Sequence, residues 1–156
     1  WCARLLHERL ETRRAVININ SVSHKTETKD MPCNMGLQFF VQNGALCCVA
    51  YTRSTDVITG LPYDMGFFSL LTELLWKDLC ERGMVGINLG YCMMKTCFTQ
   101  IYFDKSELVD VILENASQPQ LAIDMPAITS AKMFLDDIYQ GTAETDTMRW
   151  CQRHSN

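Results

Sequence analysis

The 156-residue sequence has no run of like charge long enough to form a basic track, since 14 lysines and arginines are interspersed among 18 aspartates and glutamates for a net charge of −4. A broad electrostatic footprint for nucleic acid is excluded on that ground, although a few local arginines can still hold a small anion. No apolar stretch reaches membrane-spanning length, and no basic segment leads into an apolar one with a small-residue cleavage site. The sequence therefore reads as a soluble, cytoplasmic protein without a membrane partner. Eight cysteines are present, but none forms a C-x-x-C pair and their spacing shows no regularity with His7, His24 and His154. That pattern argues against a zinc framework, and most of the thiols are expected to be reduced, buried apolar fillers. Repeats, low-complexity tracts and internal linkers are missing as well. What is there is a chain 47% apolar, enough for one domain with a substantial core. It opens on Trp1 inside a helical pattern, as expected of the later part of a longer protein.

The local patterns predict an α+β fold. "WCARLLHERLE" places Leu5, Leu6 and Leu10 at helical spacing and suits a helix ending near Thr12. "AVININ" alternates apolar and polar residues as a half-buried strand does, and the polar "SVSHKTETKD" reads as a loop. Two β-type runs flank Asn43-Gly44, a strong hairpin signal. From Tyr63 to Arg82, Phe67, Leu70, Leu71, Leu74, Leu75 and Leu79 recur at i, i+3, i+4 spacing and Gly83 stands at the stop, which predicts a long buried helix. "GMVGINLGYCMMKTCFTQIYF" is strand-like but irregular, "KSELVDVILENA" is a short amphipathic helix, and the remainder offers one more strand and one short helix.

Five motifs then occur in order: "ETRRAVININ", "MPCNMGLQFFV", "YTRSTD", "GLPYDMGFFSLLTELL" and "IYF". Together they resemble the catalytic half of the thymidylate synthase family, which includes the deoxycytidylate hydroxymethylases. The separations agree with the family pattern without a gap: 19 residues from Arg14 to Cys33, 20 from Cys33 to Arg53 and 31 from Cys33 to Asp64. The resemblance runs from about Thr12 to Phe103 and continues weakly through "PQLAID". It implies a thymidylate synthase-like α+β fold, with a mixed sheet packed on a long buried helix and forming a dimer interface. Residues 1–156 would be a single domain, the C-terminal catalytic part of that fold.

The implied chemistry uses Cys33 as a nucleophile. Carbon 5 of a pyrimidine is a poor nucleophile until a thiolate adds at carbon 6 and makes carbon 5 enolate-like. A thiolate is favoured beside a guanidinium, which makes Arg53 the expected activator. The resemblance gives Arg53 and Ser54 the substrate phosphate in their own subunit, while Arg13 and Arg14 reach the partner's site across a homodimer. Forked guanidinium donors suit a phosphate, although an arginine pair at a helix end is alone more often solvated. Tyr102 resembles the residue that holds the ribose 3′-hydroxyl, or is a strand tyrosine of the core, and Asp56 braces the loop around nucleophile and base. Gln100 stands where the family usually has histidine.

Asp64 selects the base. Thymidylate synthases carry asparagine there, whereas a carboxylate lacks a donor for uracil O4 and can accept from the exocyclic amino group of cytosine. The expectation is therefore dCMP 5-hydroxymethylation with 5,10-methylenetetrahydrofolate as one-carbon donor, a chemistry that fits a phage source and a phage-infected host cell. Thymidylate synthase action on dUMP is the first alternative, and a non-enzymatic nucleotide-binding or assembly relative is the alternative of another class. Asp64 could also serve as the N-cap of the helix that follows.

Overall fold

The computed structural model describes residues 1–24, 31–118 and 124–155. Five α-helices and six strands follow one another among them: α1 (Cys2–Glu8), β1 (Val16–Asn18), β2 (Asn34–Gln42), β3 (Ala45–Thr52), β4 (Thr55–Asp56), α2 (Gly60–Glu81), β5 (Asn88–Thr96), β6 (Thr99–Gln100), α3 (Ser106–Glu114), α4 (Ala131–Gln140) and α5 (Asp146–His154). Short 3₁₀ turns precede β2 and α3.

β2 and β3 form the expected hairpin. Asn43 and Gly44 both take positive φ, 50° and 74°, the left-handed pair that a two-residue turn of matching twist requires. A four-stranded mixed sheet has the order β1-β2-β3-β5, antiparallel except for the parallel β3–β5 pair. α2 makes that parallel connection and lies on one face of the sheet. Leu37, Phe39, Leu46, Cys48 and Ala50 of the sheet pack there with Phe68 and Leu79 of α2 in the buried core, and Leu6 of α1 joins them. β4 and β6 form a separate two-stranded parallel ribbon.

Several sequence expectations shift. α1 ends at Glu8, because Arg9 turns to extended backbone and the chain must swing round to bring fully buried Ala15 to the sheet. The strand in "AVININ" narrows to three residues. α2 begins at Gly60, not Tyr63, and Pro62 sits within its first turn, where a missing N–H leaves no intrahelical bond unmade. Its buried stripe is also moved by one position. Phe67 is 56% exposed, and Phe68 faces the core with Leu71, Thr72, Leu75 and Leu79. Most cysteines pack as fillers, but Cys97 is exposed like Cys33.

The end of the chain holds two helices where one was expected, and no strand among the described residues from 124 on; "PQLAI" lies outside the described residues. Ser130 caps α4 by accepting from Met133 N, Thr145 caps α5 by accepting from Met148 N, and Gly141 ends α4 in the left-handed conformation. Buried Asp137 ties the two helices together, accepting from the backbone N–H groups of Glu144 and Thr145 and from the hydroxyls of Thr142 and Thr145, at 2.7–2.8 Å. Glu81, at the end of α2, accepts from Ala131 N at 2.9 Å and so docks α4 against α2. Among the described residues no helix is long and apolar enough to cross a membrane.

Candidate active site

Cys33 immediately precedes β2, and its loop is tied to the end of β3. The Cys33 carbonyl accepts from Arg53 N at 2.9 Å and from the Thr52 hydroxyl at 2.8 Å. The Arg53 guanidinium donates through Nη2 to Met31 O at 2.7 Å and through Nε to Pro32 O at 3.2 Å. The backbone on both sides of the thiol is thereby fixed from "RSTD", while the Cys33 side chain stays exposed. Arg53 meets the Cys33 loop through main-chain carbonyls, and two of the five N–H groups of its guanidinium are engaged in doing so. Ser54 follows, half-buried, with its carbonyl accepting from Thr52 Oγ1 at 2.9 Å.

Asp56 closes the same corner. Its Oδ1 accepts from Ile58 N and Thr59 N, both at 2.7 Å, and from the Thr59 hydroxyl at 3.2 Å. It therefore receives the unpaired N–H groups at the start of α2, an acidic partner where the helix dipole favours one. The Thr59 N–H is the chief reason its carboxyl lies below the ordinary range, with burial opposing and the Ile58 N–H assisting. Its second oxygen, Oδ2, is buried and without a partner among the described residues.

Asp64 is the fifth residue of α2, so it does not cap the helix. Its Oδ1 accepts from Nδ2 of Asn34, the residue after Cys33, at 3.1 Å. Sequence reading assigned Asn34 no role. Its position beside Cys33 was a visible signal, but a contact across 30 residues of chain is not.

Tyr102 comes to this corner through the β4–β6 ribbon, in which Asp56 is paired with Gln100. The side chain is 53% exposed, so it is not a core tyrosine, and its hydroxyl accepts from Gln100 Nε2 at 2.8 Å. Cys33, Arg53, Ser54, Asp56, Asp64 and the strand leading to Tyr102 thus converge on one end of the sheet.

Arg13 and Arg14 do not join them within one chain. Both are exposed and lie in the link between α1 and β1, past the end of the helix. The register puts Ala15 beside Phe39, with Phe39 N donating to Ala15 O at 2.9 Å. The arginine pair therefore lies beside the middle of β2, where Gln38 Nε2 donates to the Arg13 carbonyl at 3.5 Å, and is about 13–17 Å along the strand from Asn34 at the usual rise per residue.

Cys48 and Cys2 differ from Cys33 in setting. Burial, with the neighbouring Cys92 thiol adding to it, pushes the Cys48 thiol up to about 12 against an opposing hydrogen bond with Thr72. Burial likewise raises Cys2. Neither is suited to form a thiolate near neutral pH.

The family described as thymidylate synthase matches residues 2–142. A bifunctional dihydrofolate reductase-thymidylate synthase of Paramecium tetraurelia is 32% identical over 119 residues, which cover 74% of this chain and 24% of that relative. The chain thus spans about a quarter of that relative's length.

Proposed function

The chain belongs to the thymidylate synthase family, and from that premise we propose that it transfers a one-carbon unit to carbon 5 of a pyrimidine deoxynucleoside monophosphate, with dCMP preferred and 5-hydroxymethyl-dCMP as product. One observation carries the choice of base: the carboxylate of Asp64 stands at the nucleophile corner, held through Asn34. A carboxylate offers acceptors only, which match the amino group of cytosine and oppose O4 of uracil.

Cys33 is the nucleophile, adding to carbon 6 so that carbon 5 carries the electron pair that bonds to the one-carbon unit. Arg53 and Ser54 hold the 5′-phosphate, and Tyr102 holds the ribose hydroxyl. 5,10-Methylenetetrahydrofolate supplies the one-carbon unit when bound. The unpaired buried Oδ2 of Asp56 suits an amino or amide donor of such a ring system. The carbon-5 proton would be lost as tetrahydrofolate departs, water would add at the exocyclic carbon to complete the hydroxymethyl group, and the bond between Cys33 and carbon 6 would break to restore the free thiol.

The working unit is a homodimer with shared sites. Support comes from the separation of Arg13 and Arg14 from Cys33 within one chain and from the sheet face turned away from α2. That face carries Phe40, Tyr51, Tyr91 and Met93, the last three 36%, 44% and 44% exposed.

A second reading, thymidylate synthase action on dUMP, is favoured by the name of the Paramecium relative. Release of tritium from carbon 5 of dCMP and of dUMP by the full-length protein, with and without methylenetetrahydrofolate, separates the two. The expected result is faster release from dCMP, with Asp64→Asn narrowing or inverting the preference by about ten- to two-hundredfold in relative kcat/KM. Wild-type preference for dUMP would leave thymidylate synthase chemistry standing. Absence of release from both nucleotides would favour a non-enzymatic relative.

A further inference from the structure

Carboxylate oxygens only accept hydrogen bonds, so the contact with Asp64 requires Asn34 to turn its amide nitrogen toward the carboxylate and its carbonyl oxygen away. That oxygen, Asn34 Oδ1, is buried and has no hydrogen-bond partner among the described residues. A buried amide oxygen without a donor is unfavourable and calls for a reason. Asn34 adjoins Cys33 in sequence and lies opposite Thr52, whose hydroxyl holds the Cys33 carbonyl. The unpaired acceptor therefore belongs to the corner where the reacting base would sit. Asp64 contributes a second oxygen, Oδ2, beyond the one Asn34 occupies.

We propose that Asn34 is a specificity-determining residue for the base, orienting Asp64 through Nδ2 and presenting its own Oδ1 as a second acceptor for the two hydrogens of an exocyclic amino group. This rests on the reading of Asp64 as the residue that meets the base. An amino group has two hydrogens to donate, and the pair has two oxygens not committed to each other. A carbonyl oxygen in the same place would confront both acceptors, and turning the Asn34 amide to offer it a donor would set amide oxygen against carboxylate. Discrimination is thus a property of the Asn34–Asp64 pair.

The measurement is the equilibrium affinity of the full-length protein for dCMP and for dUMP, in wild type, Asn34→Leu, Asn34→Ala and the Asp64→Ala background. Deoxyribose 5-phosphate serves as a probe that carries no base, and unchanged affinity for it reports an intact site. The dCMP-to-dUMP affinity ratio should fall about tenfold in Asn34→Leu, which keeps the side-chain bulk while removing both polar groups. Asn34→Ala should move it in the same direction, and the effect should shrink when Asp64 is already alanine. A residue that merely supports the fold would weaken both nucleotides and deoxyribose 5-phosphate alike. That outcome, or an unchanged ratio in both variants, overturns the proposal. The wild-type ratio tests the dCMP reading, and the change in ratio tests Asn34, so either can fail without the other.

Discussion

At the scale of single residues, the contrast between Cys33 and Cys48 separates the thiol proposed as nucleophile from a structural one. Cys33 precedes the hairpin and Cys48 lies within its second strand, where it is wholly inside the core with its thiol pushed up to about 12, while Cys33 is exposed on a backbone held from both sides. Replacing Cys33 with serine should abolish tritium release from carbon 5 by at least about a thousandfold, since a nucleophile's removal is not compensated by the groups that position it. Nucleotide binding should persist, because phosphate, ribose and base are assigned to other side chains. Equilibrium binding with the same nucleotide checks that half of the expectation, and full activity in Cys33→Ser would end the nucleophile assignment. That Cys33, Arg53 and Asp64 meet at one corner was legible from residue type, order and spacing. Asn34 was not, because its significance lies in a contact with Asp64 and in an oxygen left unpaired, neither of which a linear pattern encodes.

At the scale of elements, legibility followed the strength of local chemistry. Asn43-Gly44 permits very few alternatives, and the hairpin stands where the residues put it. The leucine-rich run did specify a helix, but two adjacent phenylalanines left its rotation open by one residue, and packing against Phe39 and Leu46 selected Phe68 over Phe67. α5 was missed because "DTMRWCQRH" has few apolar residues to display a period, although Thr145 and Gly141 are end signals readable in hindsight. What holds α5 to α4 is Asp137. Burial disfavours its charge, but the N–H of Glu144, the Thr142 hydroxyl and the N–H and hydroxyl of Thr145 outweigh that and hold the carboxyl well below its ordinary range. A carboxyl depressed on folding contributes stability that is complete above its unfolded pKa, about 4, and is lost as pH falls toward the folded value. Urea midpoints should therefore fall with acidification below about pH 4 in wild type. Asp137→Asn should be less stable at pH 7 and show a shallower fall, because the amide group sets a donor against donors. Equal slopes in the two proteins would show that this carboxyl does not govern the acid limb.

At the scale of the whole molecule, the two arginine sets are the decisive feature. Arg53 fixes the Cys33 loop from within, whereas Arg13 and Arg14 stand exposed beside the middle of β2. Across that separation an arginine side chain does not reach the Cys33 corner of its own chain while the β1–β2 pairing from Val16↔Gln38 to Asn18↔Gly36 is kept. The proposed two-fold dimer would meet that separation, because an isologous contact through the sheet can bring the arginines of each chain to the Cys33 corner of the other. The consequence can be tested by mixing two inactive proteins. Chains carrying Cys33→Ser keep their arginines, and chains carrying Arg13→Ala with Arg14→Ala keep the thiol. In the mixed dimer one site combines the intact thiol of the second chain with the intact arginines of the first, and the other site has both defects. After unfolding and refolding an equimolar mixture, half of the dimers should be mixed and one site in each should work, giving about a quarter of wild-type activity at saturating nucleotide. If the arginines served their own chain, every site in the mixture would lack one group or the other and activity would stay at the level of the parents. Light scattering on the same sample, reading a dimer at micromolar concentration, would tie the recovered activity to the assembly that requires it.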